Sequence, residues 1–244
     1  MKCALLTTDF VIPDLLSTLS RAEKVNQDFD TYVVINELGV SLLMPEFSKI
    51  PYQVNFESNQ MRYRSAQLAH QNELIIKACR IKSLARPVTI VDATAGFGRD
   101  AFILAAAGFE LFLVERNPIV AALLIDGIRR ISDPMIKQRL RCIHQDSREY
   151  LSQAAHAINK PDVIYLDPMF TVHRHAKVKK ELQILQTLLQ DESADQQTLL
   201  PVALQVGAQR VVVKRAIHAE ALNLMNPSYC LSGKHSRFDV YVRH

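Results

Sequence analysis

From Val88 onward, short β-branched runs alternate with longer helix-forming runs, and this alternation restricts the possible folds more than any other feature of the chain. The pattern predicts a strand at 88–91 before a helix at 99–107, and a strand at 111–115 before a helix at 118–130. A strand at 140–144 then leads into a helix at 148–158, and a strand at 162–166 into a helix at 176–190. A helix at 195–206 precedes a strand at 210–214. A short helix at 217–225 follows, and strands at 228–232 and 237–242 come last. Regular strand–helix alternation predicts a parallel sheet with helices on both faces. The last two strands lack a long helix between them, which predicts an antiparallel hairpin. The expected class is α/β: a Rossmann-like, seven-stranded, mostly parallel sheet over residues 61–244. Residues 1–60 read as a small α/β subdomain, with a strand at 2–7, a helix at 13–24, and strands at 31–36 and 40–44 hinged at Leu38-Gly39. Residues 58–64 are polar and basic, and a helix is expected at 66–81.

The first strand of the alternation ends in an acid, Asp92, and the tight turn Gly96-Phe97-Gly98 follows three residues later. In a parallel α/β sheet such a turn is where a nucleotide-like ligand binds. The next strand ends in Glu115, about 20 residues on, the position from which an acid reaches a ribose diol. Two cofactor classes use this layout. Gly96-x-Gly98-x-x-Ala101 satisfies the dinucleotide fingerprint, but there the first glycine follows its strand almost directly. The spacing D-x-x-x-G-x-G resembles instead motif I of the class I S-adenosylmethionine (SAM) methyltransferases, with Asp92, Gly96 and Gly98 at the cofactor. Asp146 and Ser147, at the end of the third strand, are candidates to face the adenine. Ser147 also reads as a helix N-cap.

A second motif narrows the chemistry. The strand at 162–166 ends in Asp167-Pro168-Met169-Phe170, similar to the (N/D)-P-P-(Y/F) tetrapeptide of methyltransferases that modify exocyclic or amide nitrogens. An amino group attacks a sulfonium methyl in line while its lone pair is partly delocalised into the base. An acceptor such as Asp167 holds an amino hydrogen, Pro168 aims a backbone carbonyl, and Phe170 stacks on the base. Asp167, Pro168 and Phe170 are therefore the candidate catalytic group.

Charge suggests the kind of substrate. Residues 1–60 hold four basic and eight acidic residues; the rest holds 25 and 17, so the positive excess lies with the catalytic region. Clusters such as Arg174-Lys177-Lys179-Lys180 and Lys214-Arg215 are candidate contacts to RNA phosphates. No apolar run reaches the ~20 residues of a membrane span and no signal pattern opens the chain, so a cytoplasmic protein is expected. The four cysteines are far apart with no C-x-x-C, which predicts reduced thiols and no zinc site. His173-x-His175 sits between cations, with no carboxylate or cysteine at helpful spacing, so no metal is expected there.

The segments DATAGFGRDAF (92–102), VERNPIVAALLIDGIRR (114–130), YLDPMF (165–170), VKKEL (178–182), RVVVKR (210–215) and RFDVY (237–241) resemble one family: the bacterial 16S ribosomal RNA guanine-N2 methyltransferases of the RsmJ type. Position by position, the resemblance implies SAM contacts from Arg99, Asp100, Glu115, Arg116, Asp146, Ser147 and Asp167. It implies methyl transfer to N2 of a guanosine near the 3′ end of 16S rRNA, presented free or in an assembling small subunit. Thr171, Ala216 and the segment 65–70 depart from that family's pattern. Other readings of the same residues are a methyltransferase acting on adenine N6 or a protein glutamine, a nicotinamide oxidoreductase, and a non-enzymatic SAM- or RNA-binding module.

Overall fold

The computed structural model describes residues 2–7, 14–22, 24–25, 28–66, 73–158, 160–168, 180–188 and 198–243. The chain opens with a small sheet of β1 (Cys3–Thr7), β2 (Ser20–Arg21), β3 (Thr31–Asn36) and β4 (Gly39–Leu43), in the order β2-β1-β3-β4. β1 runs parallel to both its neighbours, and β3 and β4 form an antiparallel hairpin. The side chain of Asn36 accepts from the Leu38 amide (3.0 Å) and makes the turn at the expected place. The helix expected at 13–24 is not formed. Its described residues contain one 3-10 turn at Asp14–Leu16, after which Ser20 and Arg21 pair with Ala4 and Leu5 of β1. Strand pairing there overrides the weak helical preference of a short Ser/Thr-rich run.

Two short helices follow, α1 (Asn59–Ala66) and α2 (Leu74–Cys79). The first covers much of a segment expected only to be polar and basic. The expected helix at 66–81 is helical only over α2 among its described residues beyond Ala66. The alternation then follows the expected order, with one unexpected turn, α5: β5 (Thr89–Asp92), α3 (Arg99–Ala106), β6 (Glu110–Glu115), α4 (Pro118–Arg129), α5 (Pro134–Lys137), β7 (Leu140–His144), α6 (Ser147–His156), β8 (Val163–Leu166), α7 (Lys180–Leu188), α8 (Leu199–Val206), β9 (Arg210–Ala216), β10 (Tyr229–Ser232) and β11 (Ser236–Val242). The short helix expected at 217–225 is a 3-10 turn at Leu222–Leu224.

The large sheet has the order β10-β11-β9-β8-β5-β6-β7, with only β10 and β11 antiparallel to their neighbours. The chain runs outward from β5 through β6 to β7, then crosses back to place β8 on the other side of β5. That reversal opens a crevice above the carboxyl ends of β5 and β8, where ligands bind in open α/β sheets. This is the architecture of a class I methyltransferase. One face of the sheet packs on α6 and α8 through Leu151, Leu200, Ala203 and Val206. The other packs on α2, α3 and α4, and its core continues into the small sheet through Leu5, Val33 and Leu42.

α4 is apolar on nearly every side, which fits a helix covered all round. Gly39 of β4 comes so close to it that a Cβ there would lie 2.5 Å from the Asp126 carboxylate, and Val54 packs equally tightly on Gly127. All four cysteines are free thiols. No helix among the described residues is long and apolar enough to cross a membrane.

Candidate active site

The turn after β5 needs its glycines. Gly96 and Gly98 have φ of 52° and 69°, a region that side chains disfavour. A Cβ at Gly98 would also sit 2.6 Å from the Leu124 side chain of α4, so no larger residue fits there. Glu115, at the end of β6, braces the turn: Oε2 accepts from the Gly96 amide (3.0 Å) and Oε1 from the Asn117 amide (2.8 Å). Glu115 is buried. Asn117 caps α4 through the Ile119 and Val120 amides, and its Nδ2 donates to the Leu188 carbonyl at the end of α7. The Leu185 side chain of α7 borders Gly96, so this helix flanks the turn.

Beyond β7, Asp146 rather than Ser147 caps α6, accepting from the Arg148 and Glu149 amides. Burial works against the Asp146 charge, but the hydrogen bonds from Arg148 outweigh it and hold the carboxyl below its ordinary range. Arg116 Nη1 lies 3.6 Å from Asp146 Oδ2, linking the ends of β6 and β7. Ser147 is buried and its hydroxyl donates to the Ala93 carbonyl (2.6 Å), so it ties the start of α6 to the end of β5.

The densest polar cluster lies where β5, β8, β9 and α3 converge. Lys214 Nζ stands 2.7 Å from Asp100 Oδ2 and 2.7 Å from Asp167 Oδ2. Asp100 also accepts from the Tyr165 hydroxyl (2.8 Å) and from Arg64 Nη1 (3.0 Å), and Arg64 pairs in turn with Glu73. Burial alone would raise the Asp100 carboxyl, but Lys214 and Arg64 outweigh it and bring it down to about 2. Burial and the neighbouring Asp100 push the Asp167 carboxyl up, against the pull of Lys214. Burial also takes Asp92 up to about 7, and this side chain accepts from the Thr94 amide. The Thr94 hydroxyl in turn accepts from the Asp167 amide (2.6 Å), so the end of β8 is pinned to the glycine turn. Asp167 keeps 38% of its side chain open to the crevice, while Asp92 is sealed beneath it.

The structure thus brings together Asp92, Gly96, Gly98, Asp100, Asp167 and Pro168, with Glu115 and Arg116 at the end of β6 and Asp146 and Ser147 after β7. Arg99 starts α3 directly after the turn. Two expected RNA contacts are placed differently. Lys214 is engaged by two carboxylates, and Arg215 is turned inward, buried, with Nε and Nη2 on the Glu220 carbonyl. Phe170, Arg174, Lys177 and Lys179 lie outside the described residues, as do His173 and His175, and Lys180 opens α7. Sequence reasoning missed Thr94, Tyr165, Arg64 and Asn117. Tyr165 was within reach, because alternate residues of a strand share a face and it stands two before Asp167. Arg64 carried no local signal.

These residues fit SAM. A methionine moiety lying against the turn would meet a pair of glycines, with no side chain of theirs in the way. Glu115 is an acid at the end of the adjacent strand, where a ribose would lie.

Comparison with known proteins agrees. The family described as "Putative SAM-dependent methyltransferase" matches residues 18–243. A ribosomal RNA small subunit methyltransferase J from Thioalkalivibrio sulfidiphilus is 43% identical over 211 residues, covering 84% of this chain and 81% of that protein. One of the same name from Shewanella amazonensis is 43% identical over 197 residues, covering 78% and 77%. Among solved structures, a SAM-dependent methyltransferase from Neisseria gonorrhoeae superposes with a TM-score of 0.74 at 30% identity, covering 98% of this chain and 95% of that one. The chain belongs to the SAM-dependent methyltransferases, in the family of ribosomal RNA small subunit methyltransferase J.

Proposed function

We propose that this protein transfers a methyl group from SAM to the exocyclic N2 of a guanosine near the 3′ end of 16S rRNA, in the cytoplasm, on free rRNA or an assembling small subunit. The observation that carries the reading is Asp167: a carboxylate at the end of β8, open to the crevice and pinned through Thr94 to the glycine turn. In this reading residues 1–60 are an appended subdomain and 61–244 the catalytic domain. Gly96 and Gly98 admit the methionine moiety of SAM, Glu115 accepts from the ribose hydroxyls, and Asp146 and Ser147 border the adenine. When bound, SAM supplies a sulfonium methyl already activated for transfer, so no metal is required.

Asp167 accepts one amino hydrogen of the guanine, which orients the nitrogen lone pair toward the methyl and receives the proton that must leave. Pro168 fixes the backbone beside it, and Phe170 offers a face for the base. Lys214 keeps the Asp167 carboxylate in one place. Guanine N2 is inaccessible in stacked, paired RNA, so the target must be unpaired or flipped.

The test is transfer from labelled SAM to small subunits lacking this modification, with free rRNA alongside, followed by nucleoside mass spectrometry. N2-methylguanosine is the expected product. N6-methyladenosine, or label in protein glutamine, would replace the base assignment. Verified SAM binding with no incorporation into either RNA substrate would overturn the reading.

A further inference from the structure

A groove of about 760 Å³ lies at the opposite end of the sheet from the crevice, among the end of α2, the start of β9, the start of β10 and the end of β11. Five cationic side chains line it, Lys77, Arg80, Lys82, Arg210 and Arg243, and no carboxylate does. Lys160 extends the same charge: its Nζ and the Arg243 guanidinium both lie against Gly207. Several arginines elsewhere are matched to acids, as Arg64 is to Glu73, Arg86 to Asp162, Arg130 to Asp126 and Arg237 to Asp239. Here Arg210 and Arg243 donate to backbone carbonyls, which leaves their charge unneutralised. Lys77, Lys82, Arg210 and Arg243 form no ion pair with a carboxylate among the described residues. Converging like charges raise the local potential, and a polyanion lowers it. Beside them Tyr229 is 39% exposed, an aromatic face on which an unpaired base can stack.

We propose that this groove is a second RNA-binding surface, holding backbone phosphates of an rRNA segment that flanks the target nucleotide. The proposal rests on the RNA substrate proposed above and adds where the rest of that RNA lies. Arg210 and Lys214 are four residues apart on β9, so groove and crevice are separated by about 13 Å along the strand. An RNA segment continuing past the target can therefore contact both. Such contacts confer affinity and register, not chemistry.

The test compares the wild-type protein with a Lys77→Gln/Lys82→Gln/Arg243→Gln variant, and with a Lys77→Gln/Lys82→Gln variant that alters only two exposed lysines. Equilibrium binding to unmodified small subunits and to free 16S rRNA is measured across a salt series, with SAM affinity, kcat and KM alongside. The triple variant should bind RNA at least tenfold more weakly. Its log–log salt slope should be shallower by about 2, since each lost single-strand phosphate contact removes about 0.7. KM for the RNA should rise while saturated kcat and SAM affinity stay within about twofold. The double variant should show about two thirds of the change in slope. Unchanged RNA affinity and slope in both variants would overturn the proposal. Because it is judged on binding, it stands apart from the methyl-transfer product, whose absence would strike the proposed function alone.

Discussion

Lys214 neutralises two carboxylates that would otherwise repel each other across the crevice. Substituting Lys214→Met should lower kcat by about 10²-fold, a size typical for disturbing a positioned acid–base group. Removing the cation also removes the pull that lowers the Asp167 carboxyl, so the acid limb of the kcat–pH profile should move to higher pH. An unmoved limb would show that Asp167 does not act as a carboxylate. Asp167→Ala should abolish turnover and weaken SAM binding only modestly, as isothermal titration would show.

Two neighbouring aspartates should respond to pH in opposite senses. Asp100 is held down to about 2, so its contribution to stability is complete above the ordinary carboxylate range and is lost as pH falls through 2. Asp92 is raised to about 7, so between about pH 4 and pH 7 the folded state binds more protons than the unfolded one. Stability from this group therefore declines as pH rises across that window, by at most about 4 kcal/mol. In Asp92→Asn the decline should flatten, measurable as a smaller drop in Tm between pH 5 and pH 8 than in the parent. The sequence put Asp92, Asp167 and Lys214 near one crevice, because each sits at a strand end, and the family resemblance added Asp100. It did not reveal which cation meets which acid, because that depends on how β8, β9 and α3 converge.

At the scale of elements, most strands and helices after Val88 were legible because each carries its own period, whereas the single turn α5 and the 3-10 turn at Leu222–Leu224 were not. α4 is the clearest case: Pro118 occupies its first turn and apolar residues run along it, while the Asn117 cap was passed over. The cap has a second task that only the fold shows, since its Nδ2 also holds the end of α7. Asn117→Ala should cost about 1 kcal/mol through the lost cap. It should also make α7 more open to limited proteolysis, which a cap-only role would not do. The N-terminal elements were harder to read. The segment at 13–24 resembles a weak helix locally, yet Ser20 and Arg21 gain strand partners from a β1 that lies well upstream. α1 is mostly polar and shows no apolar stripe, and among its described residues only Met61 is buried in the core. Its place is held by that side chain and by Arg64 reaching Asp100, a contact no local pattern announces.

Across the whole molecule, α4 is the common wall: the large sheet lies on one side and the small sheet on the other. Gly39 abuts Asp126, Val54 abuts Gly127, and Leu124 abuts Gly98 of the cofactor turn. Leu124→Ala should therefore cost about 2–5 kcal/mol, read from chemical denaturation. Since one helix contributes to both cores, neither sheet can open without exposing it. Heat should unfold the chain in one calorimetric step, and occupancy of the crevice should slow amide hydrogen exchange in β3 and β4, on the far side of α4 from the large sheet.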